Sequence, residues 1–143
     1  MLNSERYPFI SGDTAFGEAS FRPFLPLTLH YQGQPIAVSG LLDIGAMVNV
    51  LPYQTGIELG AVWERQTTAL SLTGNLAQFE ARLLLVSATV GSFPPVRLAF
   101  AWSKAENVPL ILGQVNFFME FNACFYRAEL AVEIHPRESG ASV

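Results

Sequence analysis

The stretch Leu41-Leu42-Asp43-Ile44-Gly45-Ala46 sets one carboxylate at the end of an apolar run, with a glycine two residues further on. A strand seldom buries a lone carboxylate, because the ionised group loses its hydration there. Gly45 permits a sharp bend, so the pattern describes a core strand that ends by presenting Asp43 from a tight turn. Two readings of Asp43 stand side by side. A carboxylate can draw a proton from water as a general base, and it can equally accept a backbone N–H two residues on, which makes an Asx turn. Hydrolysis by carboxylates alone needs two of them, since a close pair sharing one proton supplies a base and an acid together. One Asp43 per chain is insufficient, and a twofold homodimer would bring it against its own copy.

The elements that must position Asp43 are mostly strands. Leu25 to Tyr31 alternates apolar and polar residues, Gln32-Gly33-Gln34 turns, and Pro35 to Asp43 returns, giving a hairpin that feeds the aspartate turn. A single helical turn is expected over Tyr53 to Leu59. Two strands around Thr73-Gly74-Asn75 read as a second hairpin with a polar tip, and Gly91 to Pro95 turns into a strand over Val96 to Ser103. Asn107 to Gly113 is again an apolar strand ending at a glycine, followed by helical spacing in Gln114 to Phe121. Residues 123–134 split at Arg127-Ala128-Glu129 into two short strands. The two halves share a faint repeat of hairpin, apolar strand, glycine and short helix, and only the first half carries an acid at the matching place. Residues 1–20 lack periodicity and are expected to be an extended N-terminal arm, residues 21–135 the domain, and residues 136–143 a C-terminal tail.

The chain of 143 residues is 50% hydrophobic and 14% charged, enough for one domain with a substantial core. A net charge of −4, with no cluster of Lys or Arg, argues against nucleic acid or a membrane surface as partner. The one cysteine, Cys124, excludes an intramolecular disulfide, fits a reducing compartment and is expected in the core. No apolar run reaches the roughly 20 residues that cross a bilayer, so a cytoplasmic protein is expected. His30 and His135 stand apart from any metal-ligand spacing, and no phosphate-binding glycine motif occurs, so neither metal nor cofactor is expected. Met47, Phe117, Phe118, Met119, Trp63 and Trp102 read as core packing, and Glu58, Glu64, Glu80 and Glu106 as solvated surface.

Taken together, Leu41 to Ala46, Leu110 to Phe118, and Ser71 to Phe79 between them resemble the retroviral-type aspartic proteases, or retropepsins, and their cellular and bacterial relatives. The resemblance implies an all-β, single-domain acid-protease barrel with a flap hairpin and one or two short helices, acting as a C2 homodimer on a peptide or unfolded protein substrate. It makes Asp43 the catalytic aspartate, paired with Asp43 of the second copy. Ile44, Gly45 and Ala46 complete the active-site loop, Thr73, Gly74 and Asn75 the flap tip, and Leu112 and Gly113 support the dyad from the second half.

Ile44 departs from the family, which carries Thr or Ser there and uses the hydroxyl to bond across the dimer axis. Ile keeps the β-branched shape of Thr and cannot make that bond. The resemblance therefore implies a folded domain with weakened dimerisation, low activity, or both. Met47 and Val48 are apolar where viral members carry acids that hold the substrate main chain. Two other functions remain open at this level: a catalytically inactive dimer that binds peptides or serves as a scaffold, and a small β-barrel in which Asp43 merely makes a turn.

Overall fold

The computed structural model describes residues 3–11, 17 and 20–138. Along them run β1 (Glu5–Pro8), β2 (Ile10–Ser11), β3 (Phe21–Arg22), β4 (Phe24–Tyr31), β5 (Gln34–Leu42), β6 (Asn49–Leu51) and α1 (Tyr53–Glu58). Then follow β7 (Ala69–Leu70), β8 (Ala81–Thr89), β9 (Val96–Ser103), β10 (Leu110–Leu112), α2 (Phe117–Glu120), β11 (Phe121–Tyr126) and β12 (Ala131–Pro136).

Alternation decides how the first hairpin lies. Leu25, Leu27 and Leu29 are buried, while Pro26 between the first two and His30 after the last face outward. Gln32 (φ 49°) and Gly33 (φ 81°) are both left-handed, the backbone that lets two residues join twisted antiparallel strands. β5 returns along the whole of β4 and then pairs in parallel with β10. The order β4-β5-β10-β6-β9-β8 closes on itself, because the end of β8 pairs with β4, and the result is a barrel of six strands. β7 adds to the opposite end of β8.

The barrel has an internal twofold pattern. β4 and β5 form a hairpin whose second strand runs parallel to β10, and β8 and β9 form a hairpin whose second strand runs parallel to β6. β6 and β10 meet antiparallel between them, at Val50 and Ile111. The repeat seen in the sequence is therefore real, with one change of register. β10 is the counterpart of β6, and each is followed by a short helix, whereas sequence similarity alone had set Leu110 to Gly113 against the Asp43 stretch.

Inside the barrel, Leu98, Phe100 and Trp102 of β9 pack with Leu84 and Val86 of β8 and the leucines of β4. Trp102 stacks on Tyr53 at 5.7 Å and meets Trp63 edge-on at 5.1 Å, and its Nε1 donates to the Tyr53 carbonyl at 3.0 Å. Lys104 lies over both Tyr53 and Trp63, and its N–H donates to the Glu80 carbonyl, fixing the base of the connection from β7 to β8. Trp63, Trp102 and Phe117 are buried as expected, and the four glutamates are exposed.

A second sheet, β1-β12-β11, covers one end of the core through Phe9, Phe121, Val132 and Ile134. The free arm expected for residues 1–20 is here in part a strand. β1 pairs with β12 over four residues and Phe9 is 7% exposed, because Tyr7 and Phe9 offer an alternate apolar edge that only a distant strand can complete. The remainder of that arm at residues 1, 2, 12–16, 18 and 19, and residues 139–143 of the expected tail, lie outside the described residues. Cys124 is exposed rather than in the core, since alternation from buried Phe121 turns positions 122 and 124 outward along β11. No helix among the described residues is long and apolar enough to cross a membrane.

Candidate active site

β5 and β10 end side by side, with Leu42 opposite Leu112, so Asp43 and Gly113 emerge together at one end of the barrel. The Asp43 N–H donates to the Leu112 carbonyl at 3.0 Å, which continues the parallel ladder by one step. Its carboxylate Oδ1 accepts the Gly45 N–H at 2.9 Å, and Ala46 N–H closes the turn on the Asp43 carbonyl at 3.1 Å. The Asx turn is thus present, and among the described residues it occupies only one of the two carboxylate oxygens. Asp43 is half-buried.

Residues 113–117 hold the rest of the loop. Gln114 N–H donates to the Ala46 carbonyl and Val115 N–H to the Met47 carbonyl, both at 2.9 Å, and Asn49 N–H donates to the Val115 carbonyl at 3.0 Å. Gln114 Nε2 donates to the Ile44 carbonyl at 2.6 Å. Position 113 must be glycine. A Cβ there would lie 2.5 Å from the Val48 carbonyl oxygen and 2.8 Å from that of Ala46, both of them backbone atoms fixed by the loop.

Behind this contact sits Asn49, fully buried. Its Oδ1 accepts the Gly113 N–H at 2.8 Å, and its Nδ2 donates to the Ala99 carbonyl and to Asn116 Oδ1, each at 3.0 Å. Asn116 Oδ1 also accepts the Ala99 N–H, and its Nδ2 reaches the Arg97 carbonyl. The network ties the Asp43 loop, the Gly113 turn and β9 together with every buried side-chain polar atom satisfied. Asn49, Gln114 and Asn116 were missed in the sequence. The signal that was there is an asparagine inside the apolar run Met47 to Leu51, which a buried strand tolerates only when its amide is bonded.

The internal twofold gives Asp43 a counterpart. Leu42 faces Leu112 across one parallel pair and Trp102 faces Leu51 across the other, so Ser103 stands where Asp43 does. Ser103 Oγ accepts the Ala105 N–H at 3.0 Å, the same turn two residues on, and the side chain is wholly buried. Each chain therefore carries one carboxylate at the paired position.

Asp43 opens into a cleft of about 410 Å³ whose walls are Gly45 to Val48, Val50 and Ile111 on one side and Ser71 to Thr73, Asn75 and Leu76 on the other. Asp43 is the one charged side chain in that lining. Thr73 and Asn75 thus share the cleft with Asp43, while Gly74 (φ 65°) borders a neighbouring surface hollow. The expected hairpin is shorter than its sequence suggests. β7 and β8 pair only at residues 69–70 and 81–82, and residues 71–80 fold over the barrel end with a single 3₁₀ turn at Gly74–Leu76. Residues 71–80 separate the paired ends of β7 and β8, so a tight two-residue turn is not formed, and Gly74 alone among Thr73, Gly74 and Asn75 has positive φ. Leu72 is drawn inward onto Val50, Ala81 and Ala101.

Besides Cys124, two further side chains expected in the core are instead outside. Met47 is 67% and Met119 54% exposed, and Ile44 (60%) and Val115 are also exposed, Val115 being bonded to the Met47 carbonyl. Among the described residues no group of three His, Cys, Asp or Glu converges on a point that could hold a metal ion.

No protein-family model and no curated protein sequence matches the chain. Solved structures do. A retropepsin-like aspartic protease from Rickettsia conorii superposes with a TM-score of 0.63 over 95% of this chain and 94% of that one, at 10% sequence identity. The EIAV protease complexed with the inhibitor HBY-793 aligns with a TM-score of 0.47 and 20% identity, over 65% of this chain and 82% of that one. The agreement with the Rickettsia structure along nearly the full length of both chains, together with the closed barrel and its two short helices, shows that this chain has the retropepsin-like aspartic protease fold.

Proposed function

We propose that the chain is an aspartic endopeptidase that works as a twofold homodimer, with Asp43 of each copy forming one dyad. The observation that carries this reading is the placement of a single half-buried carboxylate, one oxygen fixed by Gly45 N–H, at the mouth of a cleft in a retropepsin-like barrel whose paired position is Ser103. Two such carboxylates sharing a proton activate a water and protonate the departing amide nitrogen, with no covalent intermediate and no metal or other cofactor. Gly45 and Ala46 form the cleft floor, and Leu112 and Gly113 support it from β10. Residues 73–75 act as the flap over an extended peptide or unfolded segment, and the exposed surface at Ile44, Met47 and Val115 faces the second copy. Residues 21–135, completed by the strand at residues 5–8, make up the protease domain, and the lone Cys124 suits the cytoplasm.

A dyad split between chains is tested by titrating the parent protein with the Asp43→Asn chain. Mixed dimers hold one aspartate, so turnover falls well beyond simple dilution. Turnover that stays proportional to parent chain would show that each copy acts alone.

Ile44 supports a second reading, a peptide-binding dimer without catalysis. Its side chain carries no hydroxyl to bridge the twofold axis, and it is 60% exposed in the single chain. Peptide affinity without cleavage at any pH distinguishes this reading from the first.

A further inference from the structure

We propose that Gln114 is a positioning residue for Asp43, acting through the peptide unit between Ile44 and Gly45. That unit is planar, so the direction of its carbonyl fixes the direction of its N–H. Gln114 Nε2 holds the carbonyl of Ile44 at 2.6 Å, and the N–H at the other side of the same unit, that of Gly45, reaches Asp43 Oδ1 at 2.9 Å. The carboxamide thus aims the donor that fixes the carboxylate, and a chain of two hydrogen bonds in series strengthens both.

Everything else in the loop is anchored elsewhere. Asp43 N–H is held by Leu112, Ala46 and Met47 carbonyls by the backbone of Gln114 and Val115, and Asn49 by Val115. Among the described residues, 44–45 is the one peptide unit of the loop held by a side chain from the second half of the fold. Gln114 itself is exposed, so its replacement leaves the core and the Asn49 network intact. The inference rests on the protease reading only for its effect on turnover, since the geometry exists in the chain whatever it catalyses.

The test uses the full chain with Gln114→Leu, which deletes the donor, and Gln114→Glu, which makes it titratable. An ionised glutamate only accepts, and faces the Ile44 carbonyl with like partial charge, whereas a protonated one donates. Amide exchange at Gly45 is compared with the parent at each pH, alongside kcat and KM for a peptide. Gln114→Leu is expected to lower Gly45 protection by about three- to tenfold, with β5 and β10 amides unchanged, and to lower kcat more than KM rises. Gln114→Glu is expected to show the same loss near neutral pH and recovery below about pH 4, near the ordinary glutamate pKa. Equal protection of Gly45 in all three proteins overturns the proposal, as does a loss spread evenly over β5 and β10. If the parent cleaves nothing while Gly45 follows this pattern, the protease reading fails and the positioning role stands. If the parent cleaves and the pH profile of Gln114→Glu matches it, the positioning role fails and the protease reading stands.

Discussion

Asp43 and Ser103 occupy equivalent places at the ends of β5 and β9, and each accepts the N–H of the residue two further on, at 2.9 Å and 3.0 Å. The equivalence explains why the fold offers a carboxylate turn at all. The same local device serves structure in one half, where the hydroxyl is buried, and is half-open to a cleft in the other.

The difference is measurable. Ser103→Ala leaves the buried Ala105 N–H without its acceptor and is expected to lower stability by about 1–2 kcal/mol, read as a shifted urea midpoint at constant slope, while turnover per folded dimer stays unchanged. An equal loss of turnover and stability would contradict the division of roles between the two halves.

Ile44 lies on the surface of the single chain, so its replacement by threonine is expected to change monomer stability by no more than about 0.5 kcal/mol. In the proposed dimer the added hydroxyl supplies a donor at the twofold axis. Ile44→Thr is therefore expected to tighten the dimer by about tenfold, the worth of two symmetry-related hydrogen bonds of roughly 0.7 kcal/mol each, and to raise turnover at low protein concentration. Sedimentation equilibrium and peptide cleavage on the same samples check it, and an unchanged dissociation constant with unchanged turnover would remove Ile44 as the weak point.

Glu5 clasps β1 to the turn between β8 and β9. Its carboxylate accepts from Ser92 Oγ and Ser92 N–H and from the Tyr7 hydroxyl at 2.7 Å, and these bonds, Ser92 Oγ foremost, hold it below its ordinary pKa of 4.5. A carboxyl that is more acidic folded than unfolded stabilises the fold above the unfolded value and loses that contribution as pH falls through the folded one. The melting temperature of Glu5→Gln is accordingly expected to lie below that of the parent at neutral pH and to converge with it below about pH 4. A constant offset from pH 7 to pH 3 would show that the clasp carries no charge-dependent stability. Any cleavage assay run in acid has to be read against this limb.

Much of the barrel was legible because its signals are local. Alternation in Leu25 to Tyr31, the Gln32-Gly33 turn, and the apolar runs that stop at Asp43 and Gly113 each follow from neighbouring residues. What escaped is non-local. Asn49 meets Gly113 across 64 residues and Asn116 across 67, and neither spacing leaves a period in the sequence. β1 carries no local period because the strand it pairs with, β12, lies near the other end of the sequence. The true register of the internal repeat depends on which strands run parallel, and Leu110 to Gly113 mimics the Asp43 stretch in composition while standing beside it rather than replacing it. Met47 and Met119 read as core because a lone apolar residue carries no mark of which side of the fold it faces.

The central claim is that Asp43 does the chemistry, and the direct measurement is cleavage of an unfolded protein substrate from acidic to neutral pH by the parent and by Asp43→Asn. Asparagine keeps an oxygen to accept the Gly45 N–H, so the loop and the fold survive the change. The account predicts turnover by the parent that disappears in Asp43→Asn with the dimer preserved. Turnover that persists in Asp43→Asn, or a parent that binds peptide and cleaves none at any pH, would contradict it.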